Sequence, residues 1–192
     1  GAGGDQKFIA EIDGVAAAAG DTIEAQPVMN ISGDVGYDTG NIDVPMNVEI
    51  SGSVQSGFSV KAGGSVVVGG TVENGASVTA GGDVVIAKGI FGEDASVFAH
   101  ENVETKFIQN STIKALGDVI VGSYIINGIV KAGGEVVVQE GGGPRAGTIV
   151  GGEVTASETI HAKMIGSADT DRTIAEIGPT FEQAAELKKL ES

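Results

Sequence analysis

A short sequence pattern recurs through the middle of the chain at intervals of 16 to 19 residues. Each copy places an aliphatic residue two positions before an alanine, and most copies continue into glycine. The copies cover residues 59–64, 77–82, 112–117 and 129–134, with a degenerate copy at 96–101. A unit this short cannot bury its own apolar side chains, whereas stacked units can. The repeat therefore predicts a solenoid.

Three rows of aliphatic residues run through the repeats. The first row is Ile42, Val60, Val78, Val97, Ile113, Val130 and Ile149. The second follows about six residues later, at Val48, Val66, Val84, Val103, Val119, Val136 and Val154. The third is Val54, Val72, Ile90, Ile108, Ile125 and Ile160. Along each side of a repeat, apolar residues alternate with other residues, as in Val60 and Ala62, which indicates short strands with one buried face.

These rows predict an all-β fold, a single-stranded parallel β-helix of about seven three-sided rungs, each of about 18 residues. A right-handed winding is favoured because parallel crossovers are overwhelmingly right-handed. The residue usage agrees, with 24 Val and 19 Ile against 3 Leu, because β-branched residues favour strands. The glycines expected at the first corner, where close backbone approach or positive φ is needed, are Gly64, Gly82, Gly117, Gly134 and Gly152.

The two ends depart from the repeat. Residues 1–4 look like a cloning remnant, and residues 5–40 are interpreted as a small β lead-in with strands at 7–12 and 22–31. The β-helix then covers 41–166, an exit segment covers 167–178, and a short C-terminal α-helix starts in 179–192. Its signals are a capping box at Thr180 and Gln183 and apolar residues at Phe181, Ala184, Leu187 and Leu190. A continuation of this helix would favour a coiled coil and, through it, an oligomer.

Charge and composition exclude several classes of function. The net charge of −15 disfavours contact with nucleic acid or an anionic membrane surface, and leaves basic partners or partners that bind an apolar patch. The chain has no cysteine, so disulfides and thiolate metal sites are excluded. No run reaches the ~18 apolar residues of a membrane span, and no signal peptide opens the chain. A cytoplasmic location without membrane contact is expected.

The repeat and its flanks resemble one protein family. Residues 77–86 and 112–121 follow the pattern Ser/Thr-Val/Ile-x-Ala-x-Gly-Asp-Val-x-aliphatic. The approach segment 31–43, Ile-Ser-Gly-Asp-Val-Gly-Tyr-Asp-Thr-Gly-Asn-Ile-Asp, and the exit Ala-Lys-Met-Ile-Gly-Ser at 162–167 carry the more specific likeness. From about residue 7 to 192, the chain resembles the flagellar assembly protein A (FapA) family of bacteria.

This resemblance implies a cytoplasmic bacterial protein with a β-helix core and a C-terminal region prone to coiled-coil formation. It implies a role in flagellar assembly or its regulation through protein contacts. For part of the family it implies contact with the glucose-specific phosphocarrier of the sugar phosphotransferase system. The chain departs from the family pattern at 100–102, where His-Glu-Asn replaces Gly-Gly-Asp, and at 141–145, where Gly-Gly-Gly-Pro-Arg forms a looped-out corner.

Residues that could carry catalysis or bind a metal are few. His100 and His161 raise the possibility of a β-helix acyltransferase, but a general base needs a partner within hydrogen-bond reach, and neither histidine has a visible companion. A polar column, interpreted as turn chemistry in preference to a calcium site, comprises Asn47, Ser65, Asp83, Asn102, Asp118, Glu135 and Glu153. No catalytic residue, metal or cofactor is expected.

The third side offers the best candidate for a functional surface. If its isoleucines point inward, the outward residues on neighbouring rungs are Phe91, Phe107, Tyr124 and Ile126. Large apolar residues on an outer face mark a contact surface. Coverage by the chain's own N-terminal strands or C-terminal helix is the favoured interpretation, and docking of a protein partner is the alternative.

The sequence thus predicts a non-enzymatic scaffold or docking module. The first alternative is a structural polymer like the bactofilins, which would grow by contact between rungs at the two ends. The second alternative is the acyltransferase.

Overall fold

The structure, a computed structural model, describes residues 14–19, 22–167 and 172–179. Within these ranges the chain forms β-strands and no helix. The strands are β1 (Gly14–Ala19), β2 (Thr22–Ile31), β3 (Ile42–Val44), β4 (Asn47–Ile50), β5 (Ser59–Ala62), β6 (Val66–Val68), β7 (Thr71–Val72), β8 (Ser77–Ala80), β9 (Val84–Ile86), β10 (Gly89–Phe91), β11 (Ser96–Ala99), β12 (Val103–Gln109), β13 (Thr112–Ala115), β14 (Val119–Ala132), β15 (Val136–Val138), β16 (Thr148–Ala156), β17 (Ile160–His161), β18 (Met164–Ile165) and β19 (Thr173–Ile177).

The strands wind into a parallel β-solenoid of about eight turns. Residues one turn apart pair in register, as Val60 does with Val78 and Val66 with Val84. The only antiparallel pair in the described chain joins β1 to β2. The predicted all-β parallel solenoid is confirmed, and the expectation of about seven rungs is about one turn short.

Each turn has three sides. The first side stacks β3, β5, β8, β11, β13, the end of β14, the end of β16, and β19. The second side stacks the end of β2, β4, β6, β9, the start of β12, the start of β14, β15 and β17. The third side continues two bridged residues, Val35 and Val54, into β7, β10, the end of β12, the middle of β14, the start of β16, and β18.

The core is a column of Val, Ile and Ala side chains along the solenoid axis. Alternation within strands creates it, since Val60 and Ala62 are buried while Lys61 between them is exposed. Burying one Val or Ile side chain contributes about 1.5–3 kcal/mol. The column therefore stabilises the stack along its whole length.

The parallel ladder begins before residue 41. Val28–Ile31, at the end of β2, already pairs with β4, and Val35 bridges to Val54. The strand predicted over 22–31 is present as β2. The Ala-rich stretch Gly14–Ala19, where no strand was predicted, forms β1, which pairs with the first half of β2. The strand predicted at 7–12, the cloning remnant at 1–4 and the helix predicted from 179 onward lie outside the described residues, apart from Pro179.

The last full turn corrects the predicted rows. Ile149 pairs with Ile125 and so lies on the third side, not the first. Val154 pairs with Val130 on the first side, not the second. Ile160 pairs with Val136 on the second side, not the third. The cause is the loop over 139–147, which lengthens this turn without adding a ladder pair.

Glycine at the first corner allows consecutive turns of the solenoid to lie close to each other. Gly64, Gly82 and Gly134 have no positive φ, but a Cβ at any of them would collide with a polar side chain of the preceding turn. At Gly134 that neighbour is Asp118 Oδ1. Gly152, expected at this corner, instead pairs with Gly128 and has a φ of 77°.

Candidate functional site

The four predicted surface residues of the third side all point outward, in two columns. The inward isoleucines Ile108 and Ile125 pair with each other, so the residues before and after them lie on the outer face. Phe107 and Tyr124 form one column, and Phe91 and Ile126 belong to the other. We call the outward side chains of these two columns the third face.

The aromatic rings of Phe107 and Tyr124 stack on consecutive turns. Their centroids are 5.3 Å apart and their planes are inclined by 18°. The Phe107 ring lies over Gly89, where an added Cβ would approach the ring to within 2.5 Å. On the other side, the Arg145 guanidinium carbon lies 6.0 Å from the Tyr124 centroid. Glycine, two rings and a guanidinium thus form a continuous stack.

The second column is broken by a polar residue. Phe91 is 39% exposed and pairs with Gln109, which in turn pairs with Ile126. Val150 follows Ile126 on the next turn. The four predicted residues therefore surround Gln109, and together they do not make one unbroken apolar stripe.

Neither the end of β2 nor β19 stacks on the third side. The end of β2 pairs with β4 on the second side, and β19 pairs with β16 on the first side. Phe107 and Tyr124 are half-buried, with contacts to each other, to Gly89 and to the loop that carries Arg145. The face is therefore shaped by neighbouring turns of the solenoid.

Basic residues follow the corner between the second and third sides. Lys88 lies between β9 and β10, Lys106 lies where the register of β12 shifts, and Arg145 lies in the loop before β16. Lys163 lies between β17 and β18, with its ammonium 4.0 Å from the Glu140 carboxylate. We call these four residues the basic corner. It adjoins the aromatic stack, although the chain as a whole is strongly acidic.

A second outward column, which was not predicted from the sequence, lies on the second side. On the second side, Val67, Val85, Ile120 and Val137 share one outward column, interrupted by Glu104. A groove of about 200 Å³ borders it, lined in part by Glu104, Lys106, Ile120 and Gln139. The run of three valines at 66–68 could have indicated this column, because alternation along a strand with one buried face must turn the middle valine outward.

The two histidines occupy separate positions on the outer surface. His100 Nδ1 lies 3.0 Å from the Ala80 carbonyl oxygen, and its ring meets Phe98 edge-on at a centroid distance of 4.9 Å. His161 is exposed, at the position that continues the outward column of Val137. The contacts of His100 describe a packed corner side chain.

Six of the seven residues of the predicted polar column form a hydrogen-bonded ladder at the first corner, whereas Glu153 pairs with Ile129 on the first side. Asn47 Oδ1 accepts a hydrogen bond from the Ser65 amide at 2.8 Å, and Asp118 Oδ1 accepts one from the Glu135 amide at 2.8 Å. The remaining rungs of the ladder join Ser65 to Asp83, Asp83 to Asn102, and Asn102 to Asp118. These side chains satisfy backbone donors, as the turn interpretation requires. No group of three or more His, Asp or Glu able to hold a metal occurs among the described residues.

A similar hydrogen bond from a side chain to the next turn occurs at the second corner, between the second and third sides, in the first turn of the solenoid. Asp34 Oδ1 accepts a hydrogen bond from the Ser53 amide at 2.7 Å, and Asp34 Oδ2 accepts one from Gln55 Nε2 at 3.0 Å. The hydrogen bond from the Ser53 backbone, and then that from Gln55, hold the pKa of Asp34 below its ordinary value of 3.8. The ionised form therefore helps to fix the first turn.

No helix in the described ranges is long and apolar enough to cross a membrane. No curated protein and no solved structure matches the chain. The family model described as the Flagellar Assembly Protein A beta solenoid domain matches residues 27–192, which is most of the chain and includes the whole parallel ladder. The chain therefore belongs to the flagellar assembly protein A family.

Proposed function

We propose that this chain is a non-enzymatic docking module in bacterial flagellar assembly or its regulation, and that the third face binds its protein partner. The observation that carries the proposal is the stack of Phe107 on Tyr124, held in place by Gly89 and Arg145 on a rigid solenoid. Aromatic and arginine side chains dominate binding energy at protein interfaces. A preformed stack also loses little conformational entropy on binding.

The distribution of charge around the aromatic stack indicates which kind of protein surface would bind there. The basic corner adjoins the aromatic stack, whereas the remainder of the chain carries a large acidic excess. A partner with an apolar patch bordered by acidic residues would be attracted to this edge and repelled from other surfaces. The net charge alone leaves both basic partners and partners that bind an apolar patch open, and the local arrangement favours the second kind, with an acidic border.

The partner to test first is the glucose-specific phosphocarrier of the sugar phosphotransferase system, which the family resemblance implies for part of the family. Both proteins would meet in the cytoplasm. Purified phosphocarrier would be titrated calorimetrically into the native chain. In parallel, flagellar proteins captured by the immobilised chain would be identified by mass spectrometry.

The decisive comparison uses two folded variants with equal numbers of substitutions. The test variant is Phe91→Ser, Phe107→Ser, Tyr124→Ser. The control variant, on the second side, is Val67→Ser, Val85→Ser, Ile120→Ser. Circular dichroism checks that both keep the β-solenoid. The proposal expects the test variant to bind at least about tenfold more weakly and the control to bind like the native chain, because hot-spot aromatic residues each contribute about 2 kcal/mol or more.

Charge reversal gives an independent readout. Lys106→Glu with Arg145→Glu should weaken binding and reduce its dependence on salt, because both charges lie beside the stack. Lys114→Glu, on the first side, is the control. Equal binding by the native chain and the Phe91→Ser, Phe107→Ser, Tyr124→Ser variant would contradict the assignment of the binding site to the third face.

The two other functions have less support. A bactofilin-like polymer needs both ends of the solenoid open, yet Val35 in the first layer is fully buried. An acyltransferase needs a general base with a partner, whereas a ring nitrogen of His100 faces a backbone carbonyl of its own chain. Filaments in electron micrographs would support the polymer. Acyl-CoA turnover lost on His100→Ala or His161→Ala would support the enzyme.

A further inference from the structure

The second outward column consists of four aliphatic residues and one charged residue. Val67 and Val85 lie on the two turns before Glu104, and Ile120 and Val137 lie on the two turns after it. Val67 is 41% exposed, and the other three aliphatic side chains are half-buried. Neighbouring apolar side chains on an outer face mark a contact with another molecule.

A groove of about 200 Å³ runs beside this column, next to the second corner. Val85 and Ile120 line one edge of the groove. Ala87 and Gly122, which lie two residues further along the same turns, line the other edge. Alanine and glycine leave room for a Val or Ile side chain from another surface. The second side therefore presents a projecting aliphatic column and, beside it, a recess that can accept such a column.

The middle of this surface carries two opposite charges on one strand. Glu104 and Lys106 are both exposed, and both line the groove. Neither forms an ion pair with any residue that the structure describes. Lys106 occupies the position that Ala87 and Gly122 occupy on the neighbouring turns. A second surface that presented the same two charges in reverse order would pair with both of them.

The two edges of the second side differ in charge. In the described chain the first corner carries acidic residues and no lysine or arginine; these acidic residues are Asp83, Glu101, Asp118, Glu135 and Glu158. The opposite edge is the basic corner. The second side is therefore complementary in charge to a copy of itself in which the strands run in the opposite direction.

We propose that a second copy of this chain packs against the second side, related to the first by a two-fold axis parallel to the solenoid axis. This axis reverses the strand direction and keeps equivalent turns level. The aliphatic column of each copy then enters the groove of the other, and Glu104 faces Lys106 of the second copy. A two-fold axis along the strands would instead place each corner against its equivalent, so the charges select the first arrangement.

The size of the face indicates a reversible dimer. A side of five residues and eight turns measures about 17 Å by about 38 Å, so two copies would bury on the order of 1,200 Å². This area lies at the lower limit of specific interfaces, and we expect association in the micromolar range. The aromatic stack of the third face lies outside the contact, so failure of either proposal leaves the other standing.

Sedimentation equilibrium of the full chain, at about 5 to 500 µM and physiological salt, tests the dimer. Ile120→Glu should weaken association at least about tenfold, because it places a carboxylate in the apolar contact. Ile129→Glu is the matched control, since Ile129 is exposed on the first side, and it should associate like the native chain. A native chain that stays monomeric throughout, or equal weakening by both variants, would overturn the proposal.

Charge reversal tests the predicted pairing of Glu104 with Lys106. Glu104→Lys alone and Lys106→Glu alone should each associate at least about tenfold more weakly than the native chain, because like charges then meet at the centre of the contact. An equimolar mixture of the two variants restores opposite charges and should associate like the native chain. Circular dichroism checks that both variants are folded. A mixture that associates no better than its components would overturn the proposal.

Engineered cysteines test the orientation, since the chain has none of its own. Chains with Val85→Cys would be mixed with chains with Ala87→Cys, and mild oxidation would be followed by non-reducing electrophoresis and peptide mass spectrometry. The control mixture combines Val67→Cys with Val137→Cys, which a two-fold axis along the strands would bring together. The proposal expects the mixed disulfide to form at least about tenfold faster in the first mixture. Equal rates, or a faster reaction in the control mixture, would overturn it.

Discussion

Gly134→Ala tests how the first corner is built. The Gly134 backbone has no positive φ, so alanine fits its conformation. Where alanine fits, replacing glycine stabilises a protein by about 0.4–1 kcal/mol through the unfolded state. Here the new Cβ would meet Asp118 Oδ1, while the nearest backbone atom, the Gly117 carbonyl carbon, is 3.5 Å away. The carboxylate must therefore move, and the backbone need not.

Displacement of the Asp118 carboxylate lowers the free energy of unfolding. Asp118 Oδ1 accepts the Glu135 amide hydrogen bond at 2.8 Å, and a displaced carboxylate loses it. A hydrogen bond to a charged group contributes about 1.5–3 kcal/mol. Subtracting the gain from alanine, we expect Gly134→Ala to lower the free energy of unfolding by about 1–2 kcal/mol. In the Asp118→Ala background the obstacle is gone, so the same change should stabilise by about 0.4–1 kcal/mol.

The assay is urea unfolding followed by circular dichroism, on the four proteins of this double-mutant cycle. Gly81→Ala is the control, because its Cβ would meet the backbone carbonyl of Gly63, which no side-chain deletion can remove. It should destabilise both the native chain and a Ser65→Ala background. A Gly134→Ala effect of the same sign with and without Asp118 would refute the proposed ladder.

Three other perturbations follow from the same structure. Gly89→Ala should displace the Phe107 ring, lowering the free energy of unfolding by about 1–3 kcal/mol in urea titrations and weakening partner binding; native-like values of both would contradict the stack. Thr105→Val should raise the free energy of unfolding by about 1 kcal/mol in urea titrations, because Thr105 is buried in an apolar row and its hydroxyl lies 3.5 Å from the Phe107 carbonyl; a lower free energy of unfolding would show that the hydroxyl is needed. The folded-state pKa of Asp34 is below 3.8, so its contribution to stability is present above that pH and is lost as the pH falls through the folded-state pKa. Unfolding measured from about pH 5 to 3 should show a steeper loss in the native chain than in Asp34→Asn, and parallel curves would exclude this linkage.

The aliphatic repeat was sufficient to predict the architecture. Rows such as Val60 with Val78 pair in the structure as the spacing required, because each inward position must stack on its equivalent one turn away. The predicted assignment of aliphatic residues to the three sides was wrong after Val130. The loop over 139–147 adds residues but no pairs, and the aliphatic residues at 149, 154 and 160 are too alike in type to reveal which side each one serves.

The candidate site was predictable in part. Alternation was enough to place Phe107 and Tyr124 on an outer face, but their stacking depends on the room left by Gly89 and on a side chain from the 139–147 loop. The basic corner could not be predicted from the sequence either. Lys88 and Lys163 are distant in sequence, and only the winding brings such residues to one edge of the solenoid.

The most direct test of the docking proposal is photocrosslinking in living cells. A benzoylphenylalanine residue would replace Phe107 in the third face or, as a control, Lys61, which is exposed on the first side. The account predicts that position 107 captures one discrete flagellar protein or the glucose-specific phosphocarrier, and that position 61 captures neither. Equal capture from both positions, or capture from position 61 alone, would contradict the assignment of the third face as the docking surface.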